Sequence, residues 1–382
     1  MMRSGVAELP LHTGKVPPWL ANRMRKLSKL VLKILVEEYG TKGLLERLAD
    51  PVWFQAFNNL IGMDWDSSGS TTVTTGIIKE ALAELDLGVM VAGGKGKSSR
   101  NTPNELEKIA SKFELDPEPY VKTSRLVAKV DSVALQTGYQ LYHHAFFLDE
   151  EGNWAVVQQG MNTELRLARR YHWFNEKPDV EELLNPHKGV AGVKREFALN
   201  TVDKDSKEVQ KAIIEIAQEG RRVVRDLETI KALSKGYAVF YKPRDVDVRE
   251  VVKRYESLGK IELNLKALEF AKELAIENYK EFLLIKGLGP GTLRALALVG
   301  ELIYDVKPSW RDPVTHPIDP FKFAYAVGGK DRVPFRIEKG TYDELIRFLE
   351  RLTETGNREI LKRVKKISEK WKFPEEEKIP TF

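Results

Sequence analysis

The chain has no cysteine among its 382 residues. That absence rules out disulfides, thiolate nucleophiles and cysteine-bound zinc or iron–sulfur centres. Long apolar runs are missing too. Nothing approaches the roughly 20 residues that cross a bilayer, and no signal peptide is evident, so the protein is expected in the cytoplasm with no membrane partner. What remains is a globular composition, 42% hydrophobic and 31% charged, with enough aromatic residues to fill real cores. At about 150 residues per domain, the length allows two or three. The net charge of +5 is modest. Lysine and arginine nevertheless gather in places, which matters more than the sum for a polyanionic partner. A high Lys, Arg and Glu content without Cys also fits a thermophile.

The pattern predicts an α+β fold, predominantly helical, with a small antiparallel sheet over about 124–160 packed among helices. Residues 1–120 read as a helical region with a basic Gly/Ser loop. Within it, Met24 to Tyr39, Leu44 to Ile61 and Thr75 to Leu85 show helical spacing, and the polar segments Asp64 to Ser70 and Gly93 to Arg100 read as loops. Residues 121–200 read as a β-containing core holding the candidate active site. Period-two alternation predicts a strand at Arg125 to Asp131, and a hairpin from Gly138 to Gln159 turning at Asp149 to Gly152. Past Arg166 the chain reads as helix, then as an irregular stretch from Phe174 to Val193. Residues 201–382 read as a helical domain, with helices near 206–234, 246–258 and 342–371.

Within that last domain, Ala267 to Leu284 and Thr292 to Ile303 have helical spacing, interrupted by Gly287-Leu288-Gly289. Glycines permit positive φ and close approach of a ligand to the backbone. Pro290 suits a first helical turn, whose free N–H groups and positive dipole end seat phosphate. The segment (about 267–303) resembles the helix-hairpin-helix motif of DNA repair and recombination proteins, which grips one strand's backbone without reading bases. The resemblance implies DNA contacts at Gly287, Gly289, Gly291 and Thr292. In helix-hairpin-helix glycosylases with lyase activity, a lysine stands just after the hairpin glycines and a catalytic aspartate follows downstream. Gly291 occupies the lysine's position here. Asp312 lies where the aspartate could be mimicked, although Pro308 and Pro313 make that loop equally readable as structural punctuation.

A reactive amine is therefore sought elsewhere. On a strand, Lys129 and Asp131 would share one face. Desolvation would lower the amine's pKa from about 10.4 and favour the neutral, nucleophilic form that Schiff-base chemistry needs, while Asp131 would orient the amine or carry protons. The alternative is a structural ion pair on a half-buried strand. His143 and His144 must face opposite sides of their strand, so only one can serve as a proton carrier; His143 is the candidate. A metal site built from His143, Asp131 and Asp149 is disfavoured by ligand spacing, and neither metal nor cofactor is expected.

Lys95, Lys97 and Arg100, set among glycines and serines, form a candidate clamp for the DNA backbone, with a solvated basic loop as the alternative. The stretch lacks the spacing of a nucleotide-binding P-loop. Arg169 and Arg170 run into Tyr171-His172-Trp173-Phe174, cations beside rings that suit a strand with a missing base; a packed domain junction would use the same residues.

Taken together, Arg3 to Ala7, Gly93 to Lys97, Gly138 to His144, Gln158 to Asn162 and the glycine hairpin resemble a largely archaeal family catalogued as domain of unknown function 763. The resemblance implies abasic-site lyase activity of the kind linked to that family in hyperthermophiles: a nucleoid-associated base excision repair enzyme that forms a Schiff base with an abasic sugar and cleaves by β-elimination, with base excision as a further possibility. The rival readings are a metal-dependent structure-specific nuclease and a non-catalytic DNA-binding repair protein.

Overall fold

The computed structural model describes residues 16–63, 68–237 and 246–315, together with Asp343, Ile346, Arg347 and Leu349. Three helices come first: α1 (Pro18–Leu48), α2 (Pro51–Leu60) and α3 (Ser68–Leu85). Gly40, at φ 70°, kinks α1 and lets it bend over the sheet. Asp50 begins α2 by accepting from the amides of Val52 and Trp53, and Pro51 supplies a first position that needs no N–H.

Strand β1 (Val89–Lys95) follows, then the short turn α4 (Lys97–Arg100), α5 (Thr102–Lys112) and α6 (Pro117–Lys129). A single π-turn over Val130–Ala134 leads into β2 (Leu135–Gln136). The next three strands are β3 (Gln140–Asp149), β4 (Trp154–Asn162) and β5 (Leu167–Asn175), and then come the short β6 (Gly189–Ala191) and β7 (Leu199–Asn200). Among the residues described up to 315, six helices follow: α7 (Lys207–Gln218), α8 (Arg221–Ser234), α9 (Val248–Ser257), α10 (Leu265–Glu273), α11 (Tyr279–Leu284) and α12 (Pro290–Ile303).

The main sheet runs β1-β3-β4-β5-β6, antiparallel throughout, while β2 and β7 form a separate ladder. Both faces of the main sheet are covered. Alternation along β3 divides its side chains between two cores: Ala145 and Phe147 join α1, α2 and α3, whereas Phe146 and Leu148 join the core built from α5, α6 and the later helices. The fold is thus α+β and predominantly helical, with an antiparallel sheet held among helices.

The structure corrects several readings of local pattern. Arg125 to Asp131 is the end of α6 and the start of the π-turn, not a strand. Apolar Leu126, Val127 and Val130 pack into one core at helical spacing; the short alternation mimicked a strand. The chain after Arg166 is strand β5 rather than helix, because Tyr171 and Trp173 point into one core while His172 and Phe174 face the other side. The sheet also reaches back to β1, so the region read as helical supplies one of its strands. Ala267 to Leu284 is two helices, with Ala275 at positive φ between them. The helix expected over 342–371 lies largely outside the described residues, as do Asp64 to Ser67.

One buried ion pair ties the segment after α12 to the sheet. Arg169 and Asp312 are both fully buried at their side chains and meet through two hydrogen bonds of 2.9 and 2.6 Å. Asp312 also accepts from the Arg195 amide, and the Arg169 guanidinium donates to the Val193 carbonyl and lies 4.7 Å from the Tyr139 ring centre. Removing one partner strands the other charge without water. Asp312→Ala is accordingly expected to cost about 3–5 kcal/mol in chemical denaturation. Lys112→Ala, which breaks the exposed Lys112–Asp86 pair, is expected to cost no more than about 1 kcal/mol.

Candidate active site

Asp131 is the most deeply committed of the expected site residues. Its carboxylate is 1% exposed and accepts from the Gln158 side-chain amide and His187 Nε2 at 2.5 Å each, and from the Trp173 indole N–H at 3.0 Å. The π-turn is what carries Asp131 into the core; such single π-turns recur at functional positions. Lys129 does not share this environment. Residues two apart on a helix do not face each other. The Lys129 amine instead reaches across to the Leu288 carbonyl, 2.5 Å away in the turn between α11 and α12. It is half-buried, no carboxylate among the described residues pairs with it, and burial lowers its pKa from the ordinary lysine value.

The two histidines separate as strand geometry requires. His143 faces the N-terminal helices, where Nε2 lies 3.0 Å from Thr75 Oγ1 of α3. Thr75 spends its own proton on the Thr71 carbonyl, so His143 Nε2 is the donor. Burial is the main cause that drops its pKa to about 3, with the neighbouring charges of His144 and Lys95 adding to it. His143 therefore lies across the sheet from Asp131, and the proposed trio of Lys129, Asp131 and His143 is not assembled. The histidine on Asp131's side is His144.

His144 Nδ1 is 2.7 Å from Gln158 Oε1, and Nε2 is 2.9 Å from Ser124 Oγ on α6. A continuous polar chain thus runs Ser124–His144–Gln158–Asp131–His187 through the core. Sequence reasoning missed Ser124 and His187, and gave Gln158 only as part of a resemblance and Trp173 only as a ring of the expected DNA-binding stretch. Only the opposite-face rule for adjacent histidines hinted at it. His187 sits in the stretch read as irregular, whose chain returns to the sheet through β6.

The basic residues divide into buried and exposed. Arg169 is spent on Asp312. Arg170 is likewise fully buried, donating 2.8 Å to Gln55 Oε1 with Phe54 beneath it, and burial pulls its pKa down to about 10. Neither guanidinium is offered to a strand of DNA at the surface. Lys95, Lys97 and Arg100 are exposed, as a clamp would require. Their glycines serve the fold first: Gly93 has φ 89°, and a Cβ there would come within 2.2 Å of the His144 carbonyl. Among the described residues no three His, Asp or Glu side chains converge as a metal-binding set.

Near the Lys129 contact, α11 and α12 are joined by a tight turn. Gly287 takes φ 87°, and Gly289 precedes α12 with no side-chain cap on the helix. An open groove of about 870 Å³ lies against this turn, with Lys231, Lys266 and the Lys260–Glu262 ion pair on its walls. Gly291 packs on the chain at 260–262, where a Cβ would meet the Lys260 carbonyl at 3.1 Å. Thr292 is buried and accepts from the Asn264 amide, so it braces the turn instead of pointing outward. Arg294 fastens the same region to Gln136 and to the carbonyls of Leu258 and Lys260.

The family model described as protein of unknown function, DUF763, matches residues 5–337. No curated protein and no solved structure matches the chain.

The buried histidines give a pH dependence whose sign is fixed. An unfolded histidine titrates near 6.5, whereas folded His143 titrates near 3. Between those values the unfolded chain binds the extra proton. His143's contribution is therefore full above about pH 6.5 and is lost as pH falls toward 3. His143→Asn should flatten the fall in unfolding free energy between pH 7 and 5 by up to about 1.4 kcal/mol per pH unit. His144, also lowered mainly by burial, keeps part of the slope. Equal slopes in urea titrations of the two proteins would contradict the assignment.

Proposed function

We propose that this chain, which belongs to the family of proteins of unknown function DUF763, is a DNA repair enzyme that cleaves at abasic sites through an imine on Lys129. One observation carries the reading. A half-buried lysine amine with no acidic partner among the described residues donates to a carbonyl of the glycine turn, which adjoins a helix N-terminus without a side-chain cap and a groove walled by Lys231, Lys266 and the Lys260–Glu262 pair. The α11–turn–α12 segment is read as a helix-hairpin-helix, whose amides and positive dipole end seat a DNA phosphate. In glycosylases of that kind the reactive lysine stands after the glycines. Here that position is Gly291, and Lys129 brings an amine to the turn from α6 instead.

In the reaction the neutral amine adds to the aldehyde of the opened abasic sugar and loses water to form the imine. Loss of the 2′ proton then expels the 3′ phosphate. An abasic site has no base to unstack, which lowers the cost of extruding the sugar toward a recessed amine. Asp131 and His143 are not the proton carriers, since one is locked in the core and the other lies across the sheet. The exposed Lys95, Lys97 and Arg100 extend the basic surface as candidate backbone contacts.

Borohydride added to the protein with abasic duplex should freeze a covalent adduct that maps to the peptide containing Lys129, with a chelator present. Lys129→Ala should lower adduct formation and strand cleavage on the order of a thousandfold or more. Binding should weaken linearly on logarithmic axes with rising salt. Cleavage abolished by the chelator would favour a metal-dependent nuclease, and DNA binding with neither adduct nor cleavage would favour a non-catalytic repair protein. An adduct on another lysine would overturn Lys129.

A further inference from the structure

The polar chain through the core ends at a hydroxyl, and its hydrogen bonds can be assigned from one end to the other. The Gln158 group facing Asp131 is the NH2, which donates to Oδ2. That NH2 also donates 3.3 Å to the Val127 carbonyl, which fixes the amide's orientation a second time. Gln158 Oε1 then faces His144 Nδ1 at 2.7 Å, which places the ring proton on Nδ1. In the neutral imidazole Nε2 is left with a lone pair, aimed at Ser124 Oγ 2.9 Å away. Nucleophile, base and an orienting group behind the base are the parts of an activated serine, arranged by role rather than by sequence order.

Above Ser124 opens a cavity of about 180 Å³, which Ser99, Arg100, Arg125, Tyr142, His144 and Gln158 help to line. Arg100 and Arg125 are exposed at its rim. They come from two elements, α4 and α6, and neither forms a salt bridge with any described residue. Two guanidiniums in the lining of the cavity that holds the hydroxyl suit a tetrahedral anion that gains charge on its equatorial oxygens as it reacts. The size admits one phosphoryl group with part of a substituent.

We propose that Ser124 and His144 form a second catalytic centre, a metal-independent phosphodiesterase whose anion seat is Arg100 and Arg125. Ser124 Oγ attacks phosphorus as His144 Nε2 takes its proton; the Oγ–P bond forms, a P–O ester bond breaks, and His144 returns the proton to the departing alkoxide. Water then attacks phosphorus of the seryl phosphodiester that remains, with His144 as base. The P–Oγ bond breaks, and the proton passes to Ser124. The net change is diester plus water to monoester plus alcohol. Gln158 acts as a positioning residue, holding the ring tautomer, with Asp131 behind it.

The test uses the full chain, bis(4-nitrophenyl) phosphate and a chelator. Nitrophenolate release is expected, and rapid quenching should catch a nitrophenyl-phosphoryl adduct on the tryptic peptide holding Ser124. Ser124→Ala and His144→Asn should each lower release on the order of a thousandfold. Arg100→Ala with Arg125→Ala should raise KM more than they lower kcat. A dinucleoside monophosphate and glycerophosphocholine, offered in parallel, distinguish nucleic-acid from lipid-derived diesters, and serine-dependent turnover of either supports the site. Adduct mapping needs no variant, so it decides the matter even if a substitution unfolds the chain. Absence of release from every diester, release unchanged in Ser124→Ala, or an adduct elsewhere would overturn the proposal. Neither an abasic sugar nor an amine enters these assays, so this centre and the lyase reading stand or fall separately.

Discussion

Burying the Asp131 carboxylate constrains more of this molecule than any other single interaction. A carboxylate removed from water is tolerated only where donors replace its hydration. Three do so here, from β4, from β5 and from the segment before β6. Each donor is thereby fixed in turn: the Trp173 ring has one orientation, His187 is drawn over that ring with centroids 4.5 Å apart, and the Gln158 amide cannot flip. The π-turn that delivers Asp131 is held from below by the same bonds. Its two flanks serve different surfaces, α6 carrying Ser124 and Lys129, and β2 carrying Gln136 to the α12 region.

This arrangement makes the α6 segment a junction. Lys129 projects toward the α11–α12 turn, Ser124 toward the sheet, and Tyr120 toward the β3–β4 turn, where its hydroxyl donates to the Gly152 carbonyl. A shift of α6 would be felt at all three places. The Arg169–Asp312 pair performs the matching task at the other end, pulling the chain beyond α12 back beneath β5.

The sequence disclosed much of the helical architecture because amphipathic spacing over many residues is a strong signal; α9 and α12 lie close to where it placed them. The hairpin of β3 and β4 was equally clear from alternation. Arg125 to Asp131 was not, since seven residues of mixed character satisfy both periods, and packing against α5 and α11 decided for helix. Strand β5 was hidden by its own composition. Arg169, Arg170 and His172 look like surface cations, and nothing local reveals that Asp312, Gln55 and the Leu48 carbonyl await them inside. For the site, burial of Lys129 was foreseeable in kind, but its partner lies 159 residues away and only the fold brings the two together. The same holds for Ser124, an ordinary helical serine until β3 sets His144 beside it.

The placement of β1 has a bearing on how the chain can be divided. This strand comes from the first quarter of the sequence, yet it covers the outer edge of β3 through seven paired residues. A fragment that started downstream of it would leave β3 with an uncovered row of amides and carbonyls beside Phe147 and Ala145, which would also have lost their helical cover. Such an edge is a template for another chain. Truncation from the N-terminal side should therefore yield intermolecular sheet rather than an autonomous unit, and the N-terminal segment acts as a cap against self-association as much as a structural layer.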